Sequence, residues 1–250
     1  MNLLKVNAFL KGLILYLRPH LFFYRLSRFF KSVHHLLELS KWISVQEKHT
    51  VLNDFYTPFR DYSKRYKLYK YVIEQYHLKD EPIDYLEFGV CEGYSYKWWM
   101  EHCVHTESRF YGFDTFEGLP EKWGVFSKGA MAAGVPVLND QRGRFVKGLF
   151  QETLPDFIKN VDLQNDKRKV IHLDADLFSS TLYALTSIAP YLKKGDILLF
   201  DEFNVPNHEF SAFKIFCETY YFKTRLLAAV NNYYQVAMII IDCPDRKGGT

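Results

Sequence analysis

Two apolar segments, 170–173 and 197–200, each end on a pair of carboxylates. The four acids are Asp174, Asp176, Asp201 and Glu202. A carboxylate near a protein core is costly unless something compensates its charge. If the segments are neighbouring parallel strands, their ends lie about 5 Å apart and the carboxylates can converge. Because oxygen ligands suit a hard cation such as Mg²⁺, we predict a metal site formed by Asp174, Asp201 and Glu202.

The same residues also admit purely structural interpretations. Asp176 precedes SSTLYAL and can cap a helix, or it can support the site without binding the metal. Asp201 can end a strand with no metal beside it. His172 lies inside its apolar segment, where a packed core histidine is the alternative to a ligand.

The segment LEFGVCEGYS predicts a tight turn between a strand and a helix. Gly89 and Gly93 frame the turn and let the backbone come close to a ligand, and Ser95 can cap the helix. The segment is not GxGxxG, because position 91 is Cys, and this disfavours NAD. Glu87 suits a cofactor with a cationic amino group, such as S-adenosylmethionine. The alternative is an ordinary turn with an incidental glutamate.

A second strand is predicted to end at Asp114, within GFDTFEGLP. An acid at this place can accept the hydrogen bonds of both hydroxyl groups of a ribose. Together with Glu87 and the two glycines, Asp114 indicates an adenosyl cofactor without phosphates. We therefore predict that the protein binds S-adenosyl-L-methionine.

These motifs lie where strand-length apolar segments alternate with helical patterns. The predicted strands are 85–90, 110–114, 144–149, 169–174, 196–201, 225–230 and 233–241. The predicted helices are 62–78, 95–104, 152–159, 180–192 and 208–221. Such alternation is typical of a parallel sheet that is covered on both faces. We predict a doubly wound α/β fold that ends in an antiparallel hairpin, with Asn231 and Asn232 at its turn.

Five segments, in this order, resemble the macrocin O-methyltransferase-like family of class I S-adenosylmethionine-dependent methyltransferases. They are EFGVCEG, FDTFEGLP, VKGLFQETLP, LDADLFSST and LLFDEF, within about 85–241. The resemblance implies a seven-stranded, Rossmann-like methyltransferase sheet. It also implies the same metal site as the acids do, with Glu202 where the family has Asp.

The resemblance implies roles for individual residues at the cofactor. The predicted cofactor-binding residues are Glu87, Gly89, Gly93, Ser95, Asp114, Gly148 and Phe150. Glu87 and the two glycines are expected at the methionine end, and Asp114 at the ribose. The loop Gly148–Glu152 is expected to border the adenine.

The expected chemistry is an in-line displacement at the methyl group of the sulfonium. The acceptor hydroxyl must lose its proton, and a sugar hydroxyl is a poor acid. A divalent ion lowers the pKa of that hydroxyl and fixes the attacking oxygen. We predict Asp174 as the catalytic group that takes the proton, with Asp176 as the alternative.

Two further predictions concern the acceptor. His208 is a second catalytic candidate that can face the acceptor, and the alternative is a surface histidine at a helix start. The segment 121–143 is too long for a simple connection, so we predict a lid over the acceptor. Trp123 can supply an apolar contact there, or it can anchor the loop.

The N-terminal segment differs from the remainder in charge. Residues 1–45 contain seven basic residues and one acid, a net +6, whereas the whole chain is +3. Pro19 is expected to separate two helices with a broad apolar face. This pattern predicts either a packing or dimerisation helix or a helix on an anionic membrane surface. We predict a basic helical extension at 1–58 and a methyltransferase domain at 59–250.

Composition limits the remaining choices. The four cysteines form no CxxC and lack zinc-finger spacing, which indicates reduced thiols. We therefore predict a cytoplasmic protein, with membrane association through residues 1–45 as an alternative. We expect a homo-oligomer and no nucleic-acid partner. The predicted function is Mg²⁺-assisted O-methylation of a small hydroxylated acceptor, preferably a sugar of a glycan or secondary metabolite. The alternatives are a catechol-type O-methyltransferase and a non-catalytic adenosyl-binding protein attached to a membrane or partner.

Overall fold

A computed structural model describes residues 3–244 and divides the chain into two compact units, Met1–Ser44 and Val45–Thr250. The outer ends of the predicted domains, residues 1 and 250, lie outside the described residues. The division between the units falls at residue 44, earlier than the predicted boundary at residue 58.

The first unit consists of two helices, α1 (Leu3–Tyr16) and α2 (His20–Ser44). They are separated at Pro19, as predicted, because proline disfavours the helical conformation of the residue before it. Arg18 accordingly has a positive φ of 48°. Among the described residues, α1 buries no side chain and α2 buries only Leu39. No helix between residues 3 and 244 is both long and apolar enough to span a bilayer.

The second unit contains all the strands that the structure describes. They are β1 (Leu52–Asn53), β2 (Ile83–Phe88), β3 (Arg109–Asp114), β4 (Gly143–Lys147), β5 (Arg168–Leu173), β6 (Ile197–Phe200), β7 (Lys223–Val230) and β8 (Gln235–Asp242). The helices are α3 (Lys64–Gln75), α4 (Tyr94–His102), α5 (Phe150–Asn160), α6 (Phe178–Ile188) and α7 (Ser211–Tyr220). A short 3₁₀ helix follows α6 and a π-helical turn, Pro206–Phe210, precedes α7.

The strands form one sheet in the order β1-β7-β8-β6-β5-β2-β3-β4. Only β8 runs antiparallel to its neighbours, β6 and β7. The sheet has eight described strands, not the predicted seven, because β1 is a two-residue strand that is too short to give a sequence pattern. The chain winds from β2 outward through β3 and β4, and then returns to β5 on the other side of β2. The order therefore reverses between β2 and β5, which is where such folds bind ligands.

Residues just after the predicted boundary pair with the far end of the chain. Leu52 and Asn53 align in parallel with Ala228 and Ala229 of β7. This pairing explains why residues 45–58 group with the sheet and not with the N-terminal helices.

Two asparagine side chains extend this contact. Asn232 Oδ1 accepts from the backbone N–H of Thr57 at 2.8 Å, and its Nδ2 donates to the Thr57 carbonyl at 2.7 Å. Asn231 forms the same pair of bonds with Asp61, both at 2.9 Å. Both asparagines have positive φ, of 56° and 59°, which asparagine tolerates better than most residues. Each asparagine side-chain amide thus forms the donor and acceptor pair that the backbone of a neighbouring strand would form.

Burial along the central strands reflects their composition. All six residues of β2 are buried, although successive side chains point to opposite faces of the sheet. Both faces are therefore covered, as the near-continuous apolar strands predict. On one side a cluster of aromatic rings fills the core, and Tyr85 and Trp99 stack with ring centroids 5.3 Å apart.

Candidate active site

A cavity of about 590 Å³ lies where the segments that follow β2, β3, β4, β5 and β6 meet. The predicted site residues that line it are Gly89, Ser95, Asp114, Phe150, Asp174, Asp201 and Glu202. Glu87, Gly93, Gly148 and His208 are not among the residues described as lining it. The parallel strands thus bring residues from five separate segments to one edge of the sheet.

The turn after β2 depends on glycine. Gly89 has φ +93°, and a Cβ built there would lie 1.9 Å from the backbone oxygen of Asp174. No other residue fits at this distance, so the first turn can close on the end of β5 only with glycine. Gly93, with φ +76°, immediately precedes α4 and faces Pro136 instead of the cavity.

Glu87 lies beneath this turn and is fully buried. Its carboxylate accepts from the Ser95 hydroxyl at 2.7 Å and from the Tyr85 hydroxyl. The prediction that Ser95 caps α4 is wrong, because Ser95 lies inside the first turn of the helix and its hydroxyl donates to Glu87. These contacts fix the end of β2 against α4. Binding of a cofactor amino group by Glu87 stays a prediction.

Asp114 ties the turn to the end of β3. Its Oδ2 accepts from the backbone N–H of Val90 at 2.7 Å and of Cys91 at 2.8 Å. Its Oδ1 accepts from the N–H of Phe116 at 2.7 Å. Three backbone donors therefore orient a carboxylate that also borders the cavity.

Carboxylates from the ends of β5 and β6 make part of the cavity wall acidic. Burial raises the pKa of Asp174 well above its usual value, and nearby carboxylates raise it further. Burial likewise raises the pKa of Asp176 to about 6 and that of Glu202 to about 8. The described lining contains eight carboxylates and a single guanidinium. They are Glu92, Asp114, Glu121, Glu152, Asp174, Asp176, Asp201 and Glu202, with Arg65. Such a wall favours cationic ligands.

Two buried carboxylate oxygens in this wall accept no hydrogen bond from any described residue, Asp201 Oδ1 and Glu202 Oε2. Arg65 Nη1 lies 3.6 Å from Asp201 Oδ2, a distance too long for a hydrogen bond. Leaving such oxygens without a donor costs about 1–3 kcal/mol each, or more for a charged group. A hard divalent cation would satisfy them, so the residues present fit Mg²⁺.

The ligand atoms of Asp174 and Asp201 come together with one from His172, all within 4.8 Å of one another. Glu202 is not in this group; its Oε1 instead accepts from the Tyr234 hydroxyl. His172 is fully buried, and its ring nitrogens lie 3.2 Å and 2.8 Å from tyrosine hydroxyls, of Tyr69 and Tyr85. The ring is thus packed in the core, as one prediction had it, beside the acid pair.

Asp176 does not cap α6. The N-cap position is Leu177, with no side-chain hydrogen bond, while Asp176 has φ +57° and borders the cavity. Its carboxyl group shares a hydrogen bond with Glu202, which lowers its pKa against the larger effect of burial. The capping interpretation is therefore wrong, and Asp176 belongs to the acidic wall.

His208 lies in the π-helical turn before α7. Its Nδ1 accepts from the backbone N–H of Phe178 at 3.3 Å, and burial lowers the pKa of its ring. The ring lies 6.4 Å from the ring of Trp123, edge to face. A catalytic role for His208 stays a prediction.

The predicted lid contributes to the cavity. In the described chain, 121–142 forms no helix or strand beyond a single bridge between Trp123 and Phe126, whose rings stack at 5.4 Å. Glu121 and Met131 line the cavity. Trp123 does not line it, so this residue anchors the loop.

Sequence reasoning missed three residues of the acidic wall. Arg65 lines the cavity from α3, whereas Tyr234, just before β8, and Glu209, in the π-helical turn, form hydrogen bonds with Glu202. Glu209 is fully buried and accepts from the backbone N–H of Glu202 at 2.9 Å. The only signal for Glu209 was an acid in NVPNHEF after the second carboxylate pair, and no spacing pointed to Arg65 or Tyr234.

Comparisons with known proteins agree with this geometry. Residues 86–203 match a family model described as a methyltransferase domain. A curated relative is the 8-demethyl-8-(2,3-dimethoxy-alpha-L-rhamnosyl)-tetracenomycin-C 4'-O-methyltransferase of Streptomyces olivaceus, 29% identical over 169 residues. The match covers 57% of this chain and 61% of the relative, so the chain spans less than two thirds of that protein's length.

Solved structures share the fold. The calicheamicin methyltransferase CalS11 has a TM-score of 0.55 at 20% identity, over 84% of this chain and 92% of CalS11. The O-methyltransferase NovP has a TM-score of 0.57 at 19% identity, over 72% of this chain and 80% of NovP. The sequence of residues 86–203 is thus similar to methyltransferase domains, and the chain shares its fold with these two solved structures.

Proposed function

We propose that this protein is an S-adenosylmethionine-dependent O-methyltransferase that acts on a hydroxyl group of a small, sugar-containing acceptor with the help of Mg²⁺. The observation that carries the proposal is one shared cavity. It combines a glycine turn held by Asp114 with the acid pair Asp174 and Asp201. The resemblance to the macrocin O-methyltransferase-like family, within the broader methyltransferase domain, is part of the same proposal.

The turn supports binding of an adenosyl cofactor. Gly89 offers bare backbone to a ligand, and Asp114 can accept further hydrogen bonds from ribose hydroxyls, since each carboxylate oxygen has two lone pairs. Phe150 borders the same cavity and offers an apolar surface for an adenine ring. Bound S-adenosylmethionine would supply a methyl group on a positively charged sulfur, a charge that suits the acidic lining.

The acidic wall supports activation of the acceptor. Asp174 and Asp201 would hold Mg²⁺, with Glu202 as a third ligand or a neighbouring support. Bound Mg²⁺ would lower the pKa of the acceptor hydroxyl. Asp174 accepts the hydroxyl proton, and Asp176 is the alternative base because it borders the cavity and is not a proposed ligand. Carboxyl groups whose pKa values are raised by burial are better bases near neutral pH.

The lining near the acids favours a polar acceptor over a flat aromatic one. Ser179, Ser180, Glu121 and Arg65 supply hydrogen-bonding groups suited to several hydroxyls. Tyr94 and Phe150 are the aromatic residues of the described lining, and this is not the flat slot expected for a catechol. The curated relative is named for a methoxylated rhamnosyl group, which supports a sugar hydroxyl as the acceptor here too. A cytoplasmic location and a homo-oligomer stay predictions.

Calorimetry and transfer assays test the proposal. We expect the protein to bind S-adenosylmethionine and S-adenosylhomocysteine but not NAD. Labelled methyl should pass to a hydroxyl of a rhamnoside or related glycoside, stop in EDTA and resume with added Mg²⁺. Binding of NAD without heat from S-adenosylmethionine would refute the cofactor. Transfer to catechol alone, or cofactor binding without transfer to any acceptor, would favour one of the two alternatives.

A further inference from the structure

The two N-terminal helices expose an unusual amount of apolar surface. In α1, Phe9, Leu15 and Tyr16 are 69%, 76% and 82% exposed. A mostly apolar helix such as α1 is normally buried, yet none of the described residues of α1 is buried. Contiguous exposed apolar surface of this kind marks an interaction site.

Helix α2 carries an ordered apolar face. Its members recur at helical spacing and are Phe22, Leu26, Phe29, Phe30, Val33 and Leu37. All but the half-buried Val33 are exposed, Phe22 by 80% and Leu37 by 64%. The spacing places them on one side of the helix, so α2 presents a continuous stripe over most of its 25 residues.

Basic residues accompany this apolar face. Within the first unit they are Lys5, Lys11, Arg18, Arg25, Arg28, Lys31 and Lys41, and Glu38 is the sole acid. Arg25 and Lys41 are exposed and lie at the two edges of the apolar face of α2, whereas the exposed Arg28 and Lys31 lie on the opposite side of the helix. The charge and the apolar surface thus belong to the same pair of helices.

The basic charge of these helices favours one of two candidates for covering the apolar surface, a second copy of the chain or a lipid bilayer. A second copy of the chain would bring one segment of charge +6 against another, with only Glu38 on each side to offset the repulsion. An anionic lipid surface complements both properties at once, since it offers phosphates to the basic groups and acyl chains to the apolar face.

Helix length determines how such contact would be made. With 14 residues, α1 is about 21 Å long, shorter than the hydrocarbon core of about 30 Å. Helix α2 has 25 residues and is long enough, but it is not apolar enough to cross, so both helices would lie along the interface. Tyr16 and Tyr24, which are exposed, suit the headgroup level.

We propose that residues 3–44 bind the surface of an anionic lipid bilayer. The apolar face of α2 enters the headgroup region, Arg25 and Lys41 at its edges contact lipid phosphates, and Arg28 and Lys31 add to the electrostatic attraction. The proposal is independent of methyl transfer, because no residue of this unit is assigned to the active site.

Vesicle sedimentation with the full-length protein tests the proposal. One set of vesicles is phosphatidylcholine alone, and the other is phosphatidylcholine mixed with phosphatidylglycerol. We expect binding to the mixed vesicles that weakens as salt is raised, and little binding to the neutral ones. The triple variant Arg25→Glu, Arg28→Glu, Lys31→Glu should reduce binding to the mixed vesicles by at least about tenfold.

A matched control places the same charge change on the second unit. Lys79→Glu, Lys159→Glu, Lys194→Glu alters three exposed lysines there and should change vesicle binding less than about twofold. Thermal melts of both triple variants check that each is folded. Equal loss in the two variants, or full binding by the first, would overturn the proposal.

The competing occupant is tested without lipid. Light scattering reports the oligomeric state of the wild type and of Phe29→Ser, Phe30→Ser. We expect the same state for both, and weaker vesicle binding for the variant. If the variant breaks up an oligomer, and the wild type binds no vesicles, the surface is an interface between copies and the lipid proposal is wrong.

Discussion

Two groups of carboxylates at the candidate site differ in how their oxygens are satisfied. At the glycine turn, Asp114 accepts three backbone hydrogen bonds and Glu87 accepts two from hydroxyls. At the acidic wall, Asp201 and Glu202 each keep a buried oxygen that no described residue satisfies. The first arrangement is completed by folding alone. The second is left for a ligand to complete, and the polar groups there store an unfavourable free energy until one binds.

The largest expected effect comes from neutralising the acidic wall. Asp201→Asn keeps the shape of the side chain but removes the charge that would hold Mg²⁺, so turnover should fall at least about 100-fold. Cofactor affinity should hardly change, because Asp201 is not among the residues proposed to bind the cofactor. Initial rates over a Mg²⁺ titration and calorimetry with S-adenosylmethionine measure the two quantities.

A matched control for this variant is Glu218→Gln. Glu218 is exposed on α7 and pairs only with Lys214, at 2.8 Å, so its neutralisation should leave turnover unchanged. Wild-type activity of Asp201→Asn in the presence of EDTA would show that no metal compensates these acids. The contrast between the two groups of carboxylates would then have no functional meaning.

The second effect lies at the glycine turn. Asp114→Ala removes the acceptor for three backbone N–H groups, so both the free energy of unfolding and that of cofactor binding should fall, by about 1.5–3 kcal/mol each. Denaturant unfolding and calorimetry measure them. Asp114→Asn keeps one acceptor oxygen and should lose less of both. A loss of affinity without any loss of stability would mean that Asp114 only contacts the ligand.

The third prediction separates two costs of replacing a glycine, the strain of a positive φ and the steric clash of an added Cβ. Gly89→Ala adds a Cβ 1.9 Å from a backbone oxygen at a φ of +93° and should lower the free energy of unfolding by about 2 kcal/mol. Gly124 also has positive φ, +53°, but has nothing within 4 Å, so Gly124→Ala should cost about 1 kcal/mol. Urea unfolding compares them. Equal costs would mean that the close approach to Asp174 contributes nothing.

The smallest effect is a dependence of stability on pH. The pKa of Glu202 is raised from 4.5 to about 8 in the folded protein, so its contribution to stability is full below about pH 4.5 and is lost as the pH rises through 8. Metal-free protein should therefore melt at a lower temperature at about pH 8.5 than at about pH 5.5. Glu202→Gln, or added Mg²⁺, should flatten this slope. An unchanged slope in the variant would assign it to other groups.

Much of the sheet was predictable because its strands are nearly continuous apolar segments bounded by polar turns. Each of the predicted strands overlaps one of β2 to β8, and the acids were expected to converge because the carboxyl ends of parallel strands share one edge. The strand β1 was not predicted, since two residues carry no periodicity.

The missed site residues share a physical cause. Arg65, Glu209 and Tyr234 reach the acidic wall only through tertiary packing, and no local spacing records such contacts. Ser95 and Asp176 were assigned to helix ends because capping is the common use of these residues there. In the fold, Ser95 instead donates a hydrogen bond to Glu87, and Asp176 shares one with Glu202.

The asparagine pair at the β7–β8 turn bears on the order of events during protein synthesis. Thr57 and Asn232 are 175 positions apart, and the bonds between them cannot form until nearly the whole chain has left the ribosome. The same delay applies to β1, which aligns only with β7. The segment that leads into α3, and with it Arg65, is thus among the last to be locked in place. A nascent chain that stops before residue 231 would have most of its sheet but an unfinished cavity.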